Sequence, residues 1–298
     1  MKEPDIITSL PEGFVHHLQL DKCILSENLH PKLKLEVVGP PCGEAGPPHC
    51  RGARWHYGPL WFEQFTGDTE PPLLEGPTRF LIWQRIVRQD VPRNWHRGWE
   101  QVDLRKTGFA EITKPARYFE HWTSHARYYR ARFLRDTRYR LTETDISTFM
   151  ANYEKTSRPS WLTKLVTKRV CRRKEMFGEN VHFFIAQRSD VEKPASQQGG
   201  PAAGLAVLDL PEISQSIHLT SFIKPFAKGD TVGIGLIDHW FSQCTAKGIR
   251  FLNFGIFYTR GDPKSWQGFS RFKNQFGIRY IRYPKLLWRI TRRKGGKR

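Results

Sequence analysis

Two hydrophobic periods alternate along the C-terminal two-thirds of the chain. Ile146, Phe149, Met150 and Tyr153 recur at i, i+3, i+4 and i+7, the stripe of an amphipathic helix, and Thr142-x-x-Asp145 ahead of them has the form of a capping box. Residues 114–136 (KPARYFEHWTSHARYYRARFLRD) hold no glycine and carry Pro115 near their start, so they predict one helix of about six turns. A short strand is expected at 139–141 and a third helix at 161–176, heavily basic through Lys164, Lys168, Arg169, Arg172, Arg173 and Lys174. The pattern then shortens. VHFFIAQ (181–187) and GLAVLDL (204–210) predict paired strands joined by a Pro/Gly/Gln-rich hairpin loop, with SIHLTSFI (216–223) as the next strand. A helix over 235–247 stopped by Gly248, a strand over 250–257, a helix over 265–276 and a closing strand over 277–290 complete the order. This alternation predicts an α/β (α+β) fold with a mixed central sheet and flanking helices.

The first hundred residues read differently. GPPCGEAGPP (39–48) is turn-rich loop, 32–38 and 80–88 (FLIWQRIVR) fit short strands, 92–99 fits a turn, and 100–104 another strand. No internal repeat is visible. The chain therefore divides into a β-rich N-terminal part (1–100), a larger domain (101–290) and a basic tail (291–298).

Composition supports a folded protein and adds a charge. At 298 residues, 39% hydrophobic and 13% aromatic, the chain has core volume for one large domain or two modest ones. Its 48 Lys and Arg against 29 Asp and Glu leave a net charge of +19, which favours polyanionic partners: nucleic acid, phosphorylated cofactors or an anionic membrane face. A generally basic surface that aids solubility is the plainer alternative. No run of about 18 apolar residues could span a membrane, and MKEPDIITSLPEGF lacks the apolar stretch of a secretory signal. Five scattered cysteines suggest reduced thiols in a cytoplasmic protein, with a peripheral place at a membrane left open. Cys42, His49 and Cys50 could begin a metal site, with Cys23 as a further ligand, yet no pair with ligand spacing stands nearby. They read as loop residues, and no metal is expected.

Two segments carry candidate chemistry. Asp230-x-x-Gly233-x-Gly235 follows a strand and opens a helix, where glycines let a backbone approach a ligand and free N–H groups attract phosphate. The same glycines can simply satisfy the turn. In the second segment Phe269, Phe272 and Phe276 form an apolar face, and Lys273 lies at its edge, where a cation is costly unless partnered. Such a lysine either serves a site or snorkels. A lysine so placed could stabilise a developing anion or hold a phosphate, and Asp209 and Asp238 are candidate bases. Both aspartates equally suit turns or helix starts.

KGIRFLNFGIF followed by GFSRFKNQFG resembles the closing part of the Fem family, a G-x-x-x-x-D-F-G strand and then an F-K-x-x-F-G helix end. Phe272, Lys273, Phe276 and Gly277 match the helix, and Phe254 and Gly255 match the strand, with Asn253 where aspartate is usual. VDLRKTGFAEITKPARYFEHW resembles the family's strand and Arg/Tyr-rich helix upstream, so the similarity covers residues 102–288. It implies a GNAT-type fold in which two splayed strands, here 216–223 and 250–257, hold an acyl donor. Gly233, Gly235, Phe222 and Asn253 would lie on the donor side, and Arg127, Arg130, Arg271 and Tyr258 would meet the substrate. The implied reaction moves an aminoacyl or acyl group from aminoacyl-tRNA or acyl-CoA, as co-substrate and not as a tightly bound cofactor, to an amine. That amine could belong to a cell-wall precursor at the inner membrane face. Asp230 stands where CoA-dependent GNAT enzymes usually have Arg or Gln, and on this resemblance the N-terminal part would be a shortened version of the family's first GNAT-like domain. A different class, a non-catalytic nucleic-acid binder using the basic helices between 117 and 174, would interleave Tyr128, Tyr129, Phe133 and Trp161 with its arginines for stacking.

Overall fold

A computed structural model describes residues 6–7, 36–38, 51–57, 60–66, 70–71, 79–85, 90–98, 106–156, 160–189, 200–264 and 266–291. The chain forms two compact units, an N-terminal one on Asp5–Thr107, Thr259–Asp262 and Tyr280–Arg298, and a central one on Gly108–Tyr258 and Pro263–Arg279.

The N-terminal unit begins with β1 (Ile6–Ile7) and β2 (Glu36–Val38), then β3 (Arg51–Tyr57) and β4 (Leu60–Thr66) as an antiparallel hairpin. The hairpin was legible in Trp55, Tyr57, Trp61, Phe62 and Phe65 around Gly58-Pro59, a strand–turn–strand signal that the loop-rich composition obscured. β5 (Arg79–Gln84) lies parallel to β4 and β6 (His96–Arg97) sits inside the expected turn, after Asn94 at φ 69°. Residues 32–35, 86–89, 100–104, 190–199 and 292–298, and Cys23, Cys42, His49 and Cys50, fall outside the described residues.

The central unit follows with β7 (Lys106–Glu111), α1 (Ser124–Leu134), β8 (Tyr139–Thr144), α2 (Ile146–Glu154), α3 (Ser160–Phe177), β9 (Val181–Arg188), β10 (Ala203–Leu210), β11 (Gln215–Ile223), α4 (Val232–Ala246), β12 (Phe251–Ile256) and α5 (Trp266–Lys273). Its strands lie in the order β7-β12-β11-β10-β9-β8. From β8 to β11 neighbours run antiparallel, while β11 and β12 are parallel. Adjacent side chains on β9 point to opposite faces. Phe183 meets Phe149 of α2 (ring centroids 5.3 Å apart) and Phe184 meets His239 of α4 (4.8 Å). With helices on both faces, β10 is buried at every position, which is why these strands read as continuous apolar runs.

Three expectations are corrected here. The helix over 114–136 is broken: Pro115–His121 is a 3-10 turn with Arg117 out of helical geometry, Trp122 is extended, and Thr123 caps α1 by accepting the Ala126 N–H (3.2 Å). Trp122 leaves the helical path to pack on Phe241 (5.1 Å) and Phe276 (4.9 Å), so burial of one large ring overrides local propensity. α4 begins at Val232, not Gly235. The closing strand is two strands, β13 (Arg279–Arg282) and β14 (Leu287–Thr291), interrupted at Pro284, which has no N–H to give a ladder. β14 pairs antiparallel with β5 and β6, so this last stretch of the expected 101–290 domain returns to the N-terminal unit.

Candidate active site

β11 and β12 pair through three residues alone, Gln215 with Phe251, Ser216 with Leu252 and Ile217 with Asn253, and then part. The expected divergence is therefore present, and each strand carries a cause for it. On β11 the register against β10 slips between Ala206–Thr220 and Val207–His218, leaving Leu219 as a bulge that bends and twists its strand. On β12 the buried Asn253 side chain accepts the Gly255 N–H (2.8 Å), and Gly255 turns to φ 68°, a geometry that only glycine adopts without strain. Asn253 thus acts on the shape of the splayed strand, and an amide oxygen serves as acceptor in place of the carboxylate that the resemblance led one to expect.

Lys273 ends α5 at this opening. Its Nζ donates to the carbonyl oxygens of Phe254 and Ile256 (the latter at 3.3 Å), and lies 5.3 and 5.1 Å from the ring centres of Phe257 and Phe269. Among the described residues no carboxylate pairs with it. The residue as a whole keeps some exposure, but its amine end is enclosed, and burial pulls its pKa from the ordinary lysine value to about 7. It does not snorkel. The apolar face expected beside it is uneven: Phe276 is core, while Phe269 and Phe272 are half-buried toward the opening. Tyr258 donates its backbone N–H to the buried Ser270 hydroxyl (2.7 Å), tying the end of β12 to α5, and Arg271 is exposed.

Gly233 faces the same opening, since a β-carbon there would lie 2.9 Å from Ile223 and 3.4 Å from Phe272. Gly235 has a different reason to be glycine: a β-carbon would come within 2.4 Å of the Phe133 ring, so it lets α1 approach α4. The turn before α4 carries a carboxylate at the helix's positive end. Asp230 accepts from Tyr139, whose pKa rises to about 12 through burial and then this contact, and sits 3.6 Å from Arg138.

The two candidate bases lie elsewhere. Asp238 pairs with Arg130 and accepts from Tyr118 (2.9 Å), whose pKa is pushed up to about 12 by burial first and the carboxylate second. Arg130 also stacks over Phe119 (4.2 Å), so this trio clamps α1 and the 3-10 turn onto α4. Asp209 is buried at the closed end of β10 and β11. It accepts from Ser216 (2.6 Å) and Lys247 (2.6 Å), Trp240 donates to Ser216 (2.6 Å), and His182 bridges Glu143 (2.7 Å) and Lys247 (3.1 Å). Ser216 lies opposite Leu252, four residues or roughly 13 Å of strand from Ile256, so Asp209 serves a structural network at the far end from Lys273. Phe222 is core, packed on Phe149 (5.4 Å) and Tyr153 (6.4 Å) on the α2 face; what it could offer a donor is backbone. Arg127 stands exposed on α1. The structure thus groups Lys273, Gly233, Asn253 and Tyr258 around the opening and leaves Asp209, Asp238 and Arg130 in structural pairs. Tyr118, Tyr139, His182 and Lys247 were missed because each acts through a partner distant in sequence.

Among the described residues no cluster of His, Cys, Asp or Glu could hold a metal ion, and no helix is long and apolar enough to cross a membrane. No known family and no curated protein matches the sequence. Solved structures do match. FemX superposes with a TM-score of 0.61 at 10% identity, covering 95% of this chain and 94% of that one. The chain is similar in fold to FemX. A conserved protein of unknown function from Bacteroides thetaiotaomicron follows at TM-score 0.56 and 9% identity, covering 91% and 90%. A tandem GNAT protein from the clavulanic acid biosynthesis pathway overlaps more loosely, at TM-score 0.41 and 10% identity over 84% and 80%. A mixed sheet with helices on both faces is the fold that this chain shares with FemX and the Bacteroides protein.

Proposed function

We propose that this protein is an acyltransferase that moves an aminoacyl or acyl group from an activated ester or thioester to an amine, at the opening between β11 and β12. The observation that carries the reading is Lys273, enclosed at that opening with two of its N–H directions fixed on Phe254 and Ile256. Nζ has three positions beyond its own chain. With two directed at carbonyls, the third holds a proton when the amine is charged and a lone pair when it is neutral. The charged form can donate to the oxyanion of a tetrahedral intermediate, and the neutral form can take the proton an attacking amine must lose. A pKa near 7 makes both forms available at neutral pH.

Two features bear on the donor. A carboxylate, Asp230, opens the turn where a phosphate would seek positive charge, which disfavours a donor anchored there by pyrophosphate. Arg127 and Arg132 are exposed on α1 with Tyr128, and Arg135 is exposed at its C-terminal cap, which suits a nucleic-acid carrier such as aminoacyl-tRNA. The charge on α1 and α3 would equally serve a non-catalytic nucleic-acid binder, but such a protein has no need of an enclosed lysine at splayed strands. The acceptor, including an amine on a cell-wall precursor, stays within the proposal. Incubation with labelled aminoacyl-tRNA and acyl-CoA pools tests it: transfer from wild type that is lost in Lys273→Met supports the reading, and no transfer from either pool refutes it.

A further inference from the structure

Beyond the open end of β11 the chain makes a short, firmly built protrusion. Pro225–Ala227 is a 3-10 turn in which Ala227 donates to the Lys224 carbonyl (3.0 Å) and Lys228 to that of Pro225 (3.2 Å). Its base is fixed on both sides, with Ala227 buried and Lys224 donating its backbone N–H to Ala202 (2.8 Å). Phe226 is nevertheless 53% exposed at the tip, and Ile223 is 37% exposed beside it. Both belong to a small set of large apolar side chains left in solvent among the described residues. A rigid turn that holds a phenylalanine outward has been built to keep it there, since the same chain buries Phe222 and Ala227 next to it.

Lysines flank the tip. Lys224 places its ammonium on the Asn152 carbonyl (3.0 Å), and exposed Lys228 follows two residues after Phe226. Lys155, exposed at the end of α2, lies close enough for its charge to oppose that of Lys224, and among the described residues neither forms an ion pair. The nearest carboxylate downstream in the chain, Asp230, is directed to Tyr139 and Arg138. An exposed aromatic and a branched aliphatic ringed by lysines is the composition of a surface that inserts into the headgroup region of an anionic bilayer. Acidic headgroups meet the lysines while the rings enter the acyl boundary.

We infer that Phe226 and Ile223, framed by Lys155, Lys224 and Lys228, form a docking tip for an anionic membrane surface. The contact is peripheral and reversible, and it does not depend on acyl transfer, because no donor or acceptor takes part in it.

Sedimentation of the full chain with vesicles, in the absence of any acyl donor, tests the inference. The protein should partition onto equimolar phosphatidylglycerol and phosphatidylcholine and not onto phosphatidylcholine alone. Phe226→Ser should weaken partitioning about tenfold, as loss of a half-inserted aromatic requires. Lys155→Gln with Lys228→Gln should weaken it roughly 30-fold, from two surface lysines. All three residues changed are solvent-facing, and equal melting temperatures verify the fold. Failure of the wild type to bind the anionic vesicles would overturn the inference. So would unchanged binding in both variants, or dependence on the lysines with none on Phe226, which marks a polyanion surface that nothing enters. None of these outcomes touches transfer to a soluble amine, so this idea and the proposed reaction fail separately.

Discussion

Replacing Lys273 with methionine separates chemistry from architecture. Methionine keeps most of the apolar stem and removes the amine. The transition state loses one electrostatic donor or its proton acceptor, about 3–4 kcal/mol or roughly 100- to 1000-fold in kcat/KM. The fold loses the hydrogen bonds to Phe254 and Ile256, together about 1–3 kcal/mol. Against that stands relief of an enclosed charge, and its size depends on pH. A lysine whose folded pKa is lowered to about 7 binds fewer protons folded than unfolded between pH 7 and its ordinary 10.5. Wild-type stability should therefore rise with pH across that window, and methionine, which does not titrate, should not follow. The variant should match wild type most closely near pH 6 and fall furthest behind near pH 10. Thermal melts over this range, beside steady-state rates, give both readings. A wild-type rate in the variant refutes the catalytic role, and a stability difference that ignores pH refutes the enclosed amine. Lys273→Arg divides the remaining roles: it stays cationic and cannot act as a base, so activity retained in part assigns electrostatic stabilisation and loss equal to methionine's assigns proton transfer.

Gly235→Ala should lower stability by about 1–3 kcal/mol despite alanine's better helix propensity, because its methyl collides with Phe133; denaturant unfolding would show it, and a stabilised variant would contradict the close approach of α1 and α4. Asp238→Ala leaves Arg130 without its anion and should cost about 2 kcal/mol in unfolding free energy while the pH profile of kcat keeps its shape; loss of one limb of that profile would instead return Asp238 to the chemistry. If the exposed face of α1 receives tRNA, Arg127→Gln with Arg132→Gln should weaken binding and lower the salt slope by about two, and a slope equal to wild type's in filter binding would leave that face as solvated charge.

Much of this molecule is written in local sequence. Ile146, Phe149, Met150 and Tyr153 specify α2 because their period is helical. VHFFIAQ and GLAVLDL specify strands buried on both faces, since alternating sides of β9 meet α2 and α4. Lys273 at the border of Phe269 and Phe276 was recognisable as a cation in an awkward place. What local pattern does not contain is the identity of a partner. Helical propensity over 114–136 is real, yet Trp122 breaks it to fill a space between Phe241 and Phe276 that exists only after folding. Asp209 and Asp238 carry the residue type of a base, and only tertiary structure shows each committed to a cation, Lys247 and Arg130. The return of β14 to the N-terminal unit likewise depends on pairing with strands some 200 residues earlier, at a cost in loop closure that grows slowly with length and leaves no mark on the strand itself. The sequence determined which segments become helices and strands through period and propensity. The tertiary structure decided which charged groups are satisfied and which, at Lys273, has no counter-ion among the described residues.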